Sequence, residues 1–453
     1  MDKIKPRTLS GFLELLPDRE SQMQAIQQIL RDTYSLFGFT PIDTPLMEAS
    51  EVLLAKGGGE TEKQIYRFEK GDSDLSLRFD LTVPLAKYVA MNAGQLAFPF
   101  RRYQIGKVYR GERAQRGRFR EFYQADVDVI GDGTLDPSNE AEMVAIICTV
   151  FSRLGLDRFQ VRINNRKLLN GLFSWLGLGG KAQAVMTAID KLDKIGPEKV
   201  IALLVEDLDV APDIAEKLMN VVSAPDPAAM LDSLEGSDPA LDEGIRELKL
   251  VTGLLPSFGV PADKWRLDLT IARGLDYYTG TVYETTLLDH PEVGSVCSGG
   301  RYDDLAAYYT DRKLPGVGVS IGVSRLFFIL QDQNLLRDEA IVPPCDALVV
   351  PMGDVLDWAV QTATVLRNTG IRSQIYMEPK KAKAKFAYAD KLHIPYAVVV
   401  GEDERNAGTV SLKDLRTGEQ QTLSPAQAAE AIHTGLPDRG KPVQEGRKEA
   451  EIK

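Results

Sequence analysis

The residues best suited to chemistry lie in two stretches. In the first, Arg101-Arg102 leads into Tyr109-Arg110-Gly111-Glu112-Arg113 and then Arg116-Gly117-Arg118-Phe119-Arg120-Glu121-Phe122-Tyr123-Gln124-Ala125-Asp126-Val127-Asp128. Guanidinium groups stay charged and grip phosphate oxygens through a planar fork, so two strands joined by this loop suit a bound nucleotide. A hairpin with a basic exposed turn fits the same pattern. In the second, Ala272-Arg273-Gly274-Leu275-Asp276-Tyr277-Tyr278-Thr279-Gly280 sets an arginine and two tyrosines beside glycines, and Gly299-Gly300-Arg301-Tyr302-Asp303 adds another tyrosine. Polar aromatics around pliant backbone suit a small polar ligand. Half-buried tyrosines with wet hydroxyls are the ordinary alternative.

Other chemistries find little support. His290, His393 and His433 sit in unremarkable contexts, so no Ser-His-Asp or Cys-His set is expected. Cys148, Cys297 and Cys345 are odd in number and far apart, against a disulfide framework or a thiolate metal site. Gly57-Gly58-Gly59-Glu60 lacks the Gly-Lys-Ser/Thr ending of a phosphate-binding loop and reads as a flexible loop.

The elements that must position these residues follow from periodicity. A helix is expected from about Ser21 to Leu36, where Met23, Ile26, Ile29, Leu30 and Tyr34 recur at helical spacing, then an extended run from Thr40 to Leu46. Leu75–Phe79, Arg101–Tyr109, Phe122–Ile130 and Phe159–Ile163 alternate apolar and polar residues, as strands of a half-covered antiparallel sheet do. Between about Asn170 and Leu255 helical patterns take over, and strands return at Trp265–Ile271 and Thr281–Leu287. The large α+β domain is therefore discontinuous. After Pro343-Pro344, strand and helix alternate through Ala347–Val350, Val355–Asn368, Ile371–Tyr376 and Tyr396–Val400, which implies a small parallel-sheet domain.

A chain of 453 residues calls for more than one core, and 44% hydrophobic with 26% charged residues is an ordinary globular composition. The sequence shows no signal-like start and no membrane-length apolar run, so a cytoplasmic protein is expected. A net charge of −11 repels polyanions at long range, leaving any RNA contact to local clusters such as the arginine-rich stretch and Lys380, Lys381, Lys383 and Lys385.

Together these segments resemble the class II aminoacyl-tRNA synthetases, and the histidyl-tRNA synthetase family in particular, over nearly the whole chain. Phe39–Glu48 resembles motif one, Tyr109–Asp128 motif two, and Gly316–Leu326 motif three. Arg273–Gly280 and Ser298–Leu305 resemble the two histidine-specific motifs, and Leu77–Ala86 the strand that holds the substrate's amino group. The usual amino-terminal Arg-Asp signature is replaced by Gly11-Phe12-Leu13-Glu14-Leu15-Leu16-Pro17.

The resemblance implies a catalytic domain built on an antiparallel sheet, in two parts at 1–169 and 261–335, interrupted by a helical insertion at 170–260. A linker at 336–345, an anticodon-binding α/β domain at 346–434 and a disordered tail at 435–453 would follow. It implies a homodimer that uses ATP, Mg2+, L-histidine and tRNA(His). Arg110, Glu112 and Arg325 would hold ATP, with Arg110 and Arg273 catalytic at the phosphates. Asp80, Thr82 and Gln124 would meet the ammonium and carboxylate of histidine, and Asp128, Tyr277, Tyr278 and Tyr302 the imidazole side, with Arg273 nearby. Arg113, Gln115, Arg116, Lys380 and Lys381 would contact tRNA, and no structural metal is expected.

Two rival readings differ in identifiable features. A non-catalytic, histidine-binding regulatory subunit of ATP phosphoribosyltransferase would lack the carboxy-terminal domain and need none of Arg110, Arg273 and Arg325. A class II synthetase for proline, threonine or glycine would lack the histidine-specific stretches.

Overall fold

The computed structural model describes residues 3–55, 59–271, 277–333 and 343–436. Two compact units result, 1–340 and 341–453. The first opens with a helix at Pro17–Leu36, whose leading proline and acidic Asp18 and Glu20 suit a helix start, and which buries Met23, Ile26, Leu30 and Tyr34.

Strands of this unit are β1 (Thr40–Pro41), β2 (Met47–Ala49), β3 (Arg67–Lys70), β4 (Ser73–Leu77), β5 (Phe100–Tyr109), β6 (Glu121–Ile130), β7 (Phe159–Asn165), β8 (Trp265–Leu267), β9 (Thr281–Leu287), β10 (Ser295–Tyr302) and β11 (Gly316–Gly322). Eight form one sheet in the order β1-β5-β6-β11-β10-β9-β7-β8, antiparallel at its centre with parallel pairs at both edges. β2, β4 and β3 make a small separate sheet.

Strand alternation divides the large sheet into two unlike faces. On β6, Ala125, Val127 and Val129 point to one side, where they share a hydrophobic cluster with the first helix and with the helix Ser138–Arg153. Each such fully buried valine contributes about 1.5–3 kcal/mol. Gln124, Asp126 and Asp128 point to the other side and are also buried. The register sets Arg102 and Gln104 of β5 opposite Asp128 and Asp126, and Gly318, Ser320 and Gly322 of β11 opposite Asp128, Asp126 and Gln124. A polar floor is thereby backed by an apolar, helix-covered layer.

Helices occupy the chain from Arg166 to Leu254. Asn165 caps the first by accepting from the amides of Lys167 and Leu168. Helices starting at Pro197, Pro212, Pro227 and Pro239 all use proline where the missing N–H costs nothing.

The second unit contains β12 (Ala347–Pro351), β13 (Ser373–Ile375), β14 (Tyr396–Val400), β15 (Val410–Asp414) and β16 (Gln420–Leu423), in the order β13-β12-β14-β15-β16. The first three strands are parallel, as the alternation implies, but β15 and β16 add antiparallel pairs. The parallel-sheet reading is corrected here: β16 is largely exposed and polar, so no apolar run announces it. The expected linker falls mostly at 334–342 and the expected tail mostly beyond 436, outside the described residues.

Candidate functional site

Where β6 meets β11, the polar face opens into a cavity of about 160 Å3 lined by Arg110, Arg118 and Arg325 with Glu112, Phe122 and Gln124 among others. Arg110 leaves the end of β5 and lies over the rings of Phe79 (4.3 Å) and Phe122 (5.3 Å), its Nε donating to the Phe79 carbonyl at 3.3 Å. Arg325, in the helix Val323–Asp332, donates to the carbonyls of Ser295 (2.6 Å) and Gly117 (3.3 Å). Burial holds both guanidinium pKa values below the usual one, and for Arg325 the nearby Arg118 and Arg110 add to the effect. Neither is ion-paired among the described residues; only Arg118 meets a cavity carboxylate, Glu112, at 3.6 Å. Fixed cations held by ring faces and carbonyls rather than by a direct carboxylate contact are suited to phosphate oxygens.

Deeper on the same face the carboxylates and phenols assemble. Asp128 is ion-paired to the fully buried Arg102 at 2.7 Å and accepts from the Tyr302 hydroxyl at 2.6 Å. The Arg102 contact is an ion pair without hydrogen-bond alignment. Gly318 and Gly316 make this possible: a Cβ on Gly318 would collide with the Asp128 carboxylate and one on Gly316 with the Tyr302 ring. The Tyr278 ring likewise covers Gly300, where a side chain would press on it. Tyr277 packs edge-on to Tyr278 and to Tyr302, at 5.1 and 5.9 Å between ring centroids, and its hydroxyl approaches Asp80 at 3.4 Å. Asp80 also accepts from the Val83 amide at the start of the helix Thr82–Asn92. Thr82 begins that helix, and Gln124 donates to Ser320 at 2.9 Å.

Asp80, Thr82, Gln124, Asp128, Tyr277, Tyr278 and Tyr302 are thus brought together, and Arg110, Glu112 and Arg325 surround the adjoining cavity. Arg273 lies outside the described residues. Arg113, Gln115 and Arg116 are exposed on the loop between β5 and β6, but Arg116 is already paired with Asp332. The altered amino-terminal segment meets the end of the same loop, where the Gly11 carbonyl accepts from the Arg120 amide at 2.7 Å. In the second unit Lys380 and Lys381 are exposed, whereas Lys385 of the same run turns inward and donates to the Pro351 carbonyl at 2.6 Å.

Sequence reasoning passed over three groups. Arg102 reads as part of a basic run, yet strand alternation points it inward opposite Asp128. Asp126 is buried and pushed up to about 7, by desolvation first, with Arg102 acting against this and Asp128 adding to it. Arg301 bonds Glu140 and Asp303, both at 2.9 Å, and Asp303 accepts from Thr279, so this clasp holds the chain that carries Tyr278.

An antiparallel sheet with helices behind it and a polar face carrying arginines beside carboxylates and tyrosines is the architecture of a class II synthetase. Residues 11–326 match the family model "Histidyl-tRNA synthetase" and residues 346–434 the model "Anticodon binding domain". Curated relatives called histidine–tRNA ligase include one from Clostridium tetani, 49% identical over 95% of this chain and 99% of its own, and one from Stenotrophomonas maltophilia, 46% identical over 96% and 98%. The crystal structure of a histidyl-tRNA synthetase from Nostoc sp. PCC 7120 superposes with a TM-score of 0.83 at 38% identity, covering 96% of this chain and all of that one. The chain belongs to the histidyl-tRNA synthetase family.

Proposed function

We propose that the protein is a histidine–tRNA ligase, which activates L-histidine with ATP and transfers it to the 3′ end of tRNA(His). The observation that carries the reading is the pair of arginines, Arg110 and Arg325, in no ion pair among the described residues, beside the pocket of Asp80, Gln124, Asp128 and Tyr278. A histidine carboxylate oxygen attacks the α-phosphorus, and the bond to the bridging oxygen breaks to release pyrophosphate. Negative charge building on the phosphate oxygens is met by Arg110 and Arg325, and by Arg273 on the strength of its sequence motif alone. The tRNA 3′-hydroxyl oxygen then attacks the histidyl carbonyl, losing its proton as AMP departs. No protein nucleophile is needed, because alignment alone supplies several kcal/mol.

ATP enters as its Mg2+ complex. Among the described residues no group of three or more His, Cys, Asp or Glu side chains is arranged to hold a metal. Mg2+ bound with ATP would neutralise phosphate charge, and Glu112 is the cavity carboxylate that would face it. Asp80, Thr82 and Gln124 receive the ammonium and carboxylate, and Asp128, Tyr277, Tyr278 and Tyr302 wall the imidazole end. Such a pocket can reject other amino acids by roughly 10⁴-fold without editing. Arg113, Gln115, Arg116, Lys380 and Lys381 are assigned to tRNA, with Arg116 exchanging Asp332 for phosphate. A homodimer and a cytoplasmic location complete the reading; no described helix is long and apolar enough to cross a membrane.

The regulatory-subunit alternative is disfavoured by the anticodon-binding match and by the two arginines. Amino-acid-dependent pyrophosphate exchange decides the matter. Histidine alone should support it, and Arg273→Ala should depress it by at least about 100-fold in folded protein, the scale of losing a fixed transition-state donor. Exchange with proline or glycine, or none with any amino acid, would refute the proposal.

A further inference from the structure

The stretch between Ile271 and Gly280, which carries Tyr277 and Tyr278, is gripped at both ends by three consecutive residues where β7 runs into the helix Arg166–Trp175. Fully buried Asn164 donates from Nδ2 to the carbonyls of Leu269 (3.2 Å) and Ile271 (3.0 Å) at one end. The Arg166 amide donates to the Gly280 carbonyl at 2.8 Å at the other. Asn165, equally buried, stands between them and opposite Thr281 of β9. A carboxamide offers one acceptor oxygen and two donor hydrogens, and Asn165 uses them all: Oδ1 caps the helix, and Nδ2 donates to the Thr281 hydroxyl at 3.4 Å and to Glu247 at 2.9 Å.

Glu247 comes from the helix Pro239–Leu254, in the last part of the helical stretch that interrupts the catalytic sheet. That helix lies hard against Arg166–Trp175, since a Cβ on Gly244 would strike the Leu168 backbone and one on Gly171 the Leu241 backbone. The close approach brings the buried Glu247 carboxylate to Asn165. Its other oxygen accepts from Lys167 at 2.7 Å, but Lys167 also has Glu243 at 2.8 Å, so the ion pairing of that lysine persists without Glu247. From Asn165 the polar groups continue toward the pocket. Thr281 acts on the buried Glu140, whose pKa burial raises and Thr281 and Arg301 draw back down. Glu140 accepts from Arg301, Arg301 donates to Asp303, and Asp303 accepts from Thr279, the neighbour of Tyr278. Buried polar groups joined in this way hold one another in a single arrangement.

We infer that Asn165 is a positioning residue for the substrate-facing stretch Tyr277–Gly280 and that Glu247 holds Asn165 in place, so that the helical insertion contributes to histidine binding from outside the pocket. The inference rests on the functional reading above and extends it to residues that touch no substrate. It also accounts for a buried carboxamide and a buried acid meeting at the junction of the insertion with the sheet, where apolar packing alone would have joined the two helices.

The test measures histidine-dependent pyrophosphate exchange by the full chain, well below the melting midpoint of each variant. Asn165→Asp keeps the helix cap but sets a carboxylate against Glu247, and Glu247→Leu leaves the Asn165 N–H without its acceptor. Misplacing a positioning group by about 1 Å costs up to about 100-fold, so each variant, which shifts the stretch only in part, should raise the histidine KM roughly 10-fold. The ATP KM should stay within about twofold of the parent, a split that general loosening would not give. Glu247→Gln keeps an acceptor oxygen and should stay within about threefold; added to Asn165→Asp it should bring the KM back to that range, because the new amide donates to the new carboxylate. Leu218→Ala, which opens a cavity elsewhere in the same helical stretch, should lower the melting midpoint and leave the histidine KM unchanged. The inference is overturned if Asn165→Asp or Glu247→Leu, whichever folds, keeps the histidine KM within about twofold, if Glu247→Gln is as impaired as Glu247→Leu, or if Leu218→Ala raises the KM equally. A parent chain that supports no exchange with histidine fails the functional reading instead.

Discussion

Replacing Arg102 by methionine probes the centre of the site through its stability. Arg102 is completely buried, and its guanidinium lies 2.7 Å from Asp128. Methionine keeps much of the aliphatic volume but leaves Asp126 and Asp128 without their countercharge. Breaking a buried pair in this way costs about 3–5 kcal/mol, because a charge is left uncompensated. Tyr302 still donates to Asp128, and either acid can take up a proton, so the lower end, about 3 kcal/mol, is expected. At roughly 2 °C per kcal/mol for a large unit, the transition of residues 1–340 should fall by about 6 °C. Scanning calorimetry measures it, and the transition of the second unit should stay in place as an internal control. Arg102→Met combined with Asp128→Asn should recover at least half of the loss, since the acid in direct contact with Arg102 is then neutral and Asp126 can keep its proton. An Arg102→Met midpoint within about 1 °C of the parent, or a double variant no better than the single, would refute the argument that this pair sustains the floor of the site.

Further outcomes follow from neighbouring groups. The folded protein holds a proton on Asp126 up to about pH 7, whereas the unfolded chain releases it near the ordinary aspartate value of about 4. This group's contribution is therefore fully present below about pH 4 and lost as pH rises to about 7; Asp126→Asn should flatten that decline in melting midpoint, and parallel curves for parent and variant would contradict it. Gly318→Ala drives a methyl group into the Asp128 carboxylate and the Val127 carbonyl, so it should cost at least about 1–3 kcal/mol and raise the histidine KM more than the ATP KM. Asp303→Asn loosens the clasp on Arg301 and Thr279 and should raise the histidine KM several-fold while lowering the melting midpoint by less than about 2 °C; an unchanged KM would show that Tyr278 holds its place without it.

Much of the fold was legible because burial on one face writes itself as alternation. Thr281–Leu287 and Tyr396–Val400 are found with the bounds that their patterns imply, and Phe159–Ile163 is extended only to Asn165. The run Thr40–Leu46 yields just the two-residue β1, because the chain then leaves the sheet edge for the small sheet. In the site, residue types signalled phosphate and a small polar ligand, but not which groups neutralise which. Arg102 and Lys385 each stand in a basic run that reads as solvated surface, and both turn inward for reasons that lie in distant strands: Asp128 on β6 for one, the end of β12 for the other. Ion pairing across strands is a property of register, which spacing along one segment does not reveal.

That register guards itself. If β6 slipped by one residue against its neighbours, Asp126 and Asp128 would enter the hydrocarbon layer beneath the helices, and Val127 and Val129 would face the ligand. A mispaired hairpin would bury two acids in hydrocarbon, away from Arg102, so the acids that floor the pocket also proofread the pairing of the strands as the chain folds.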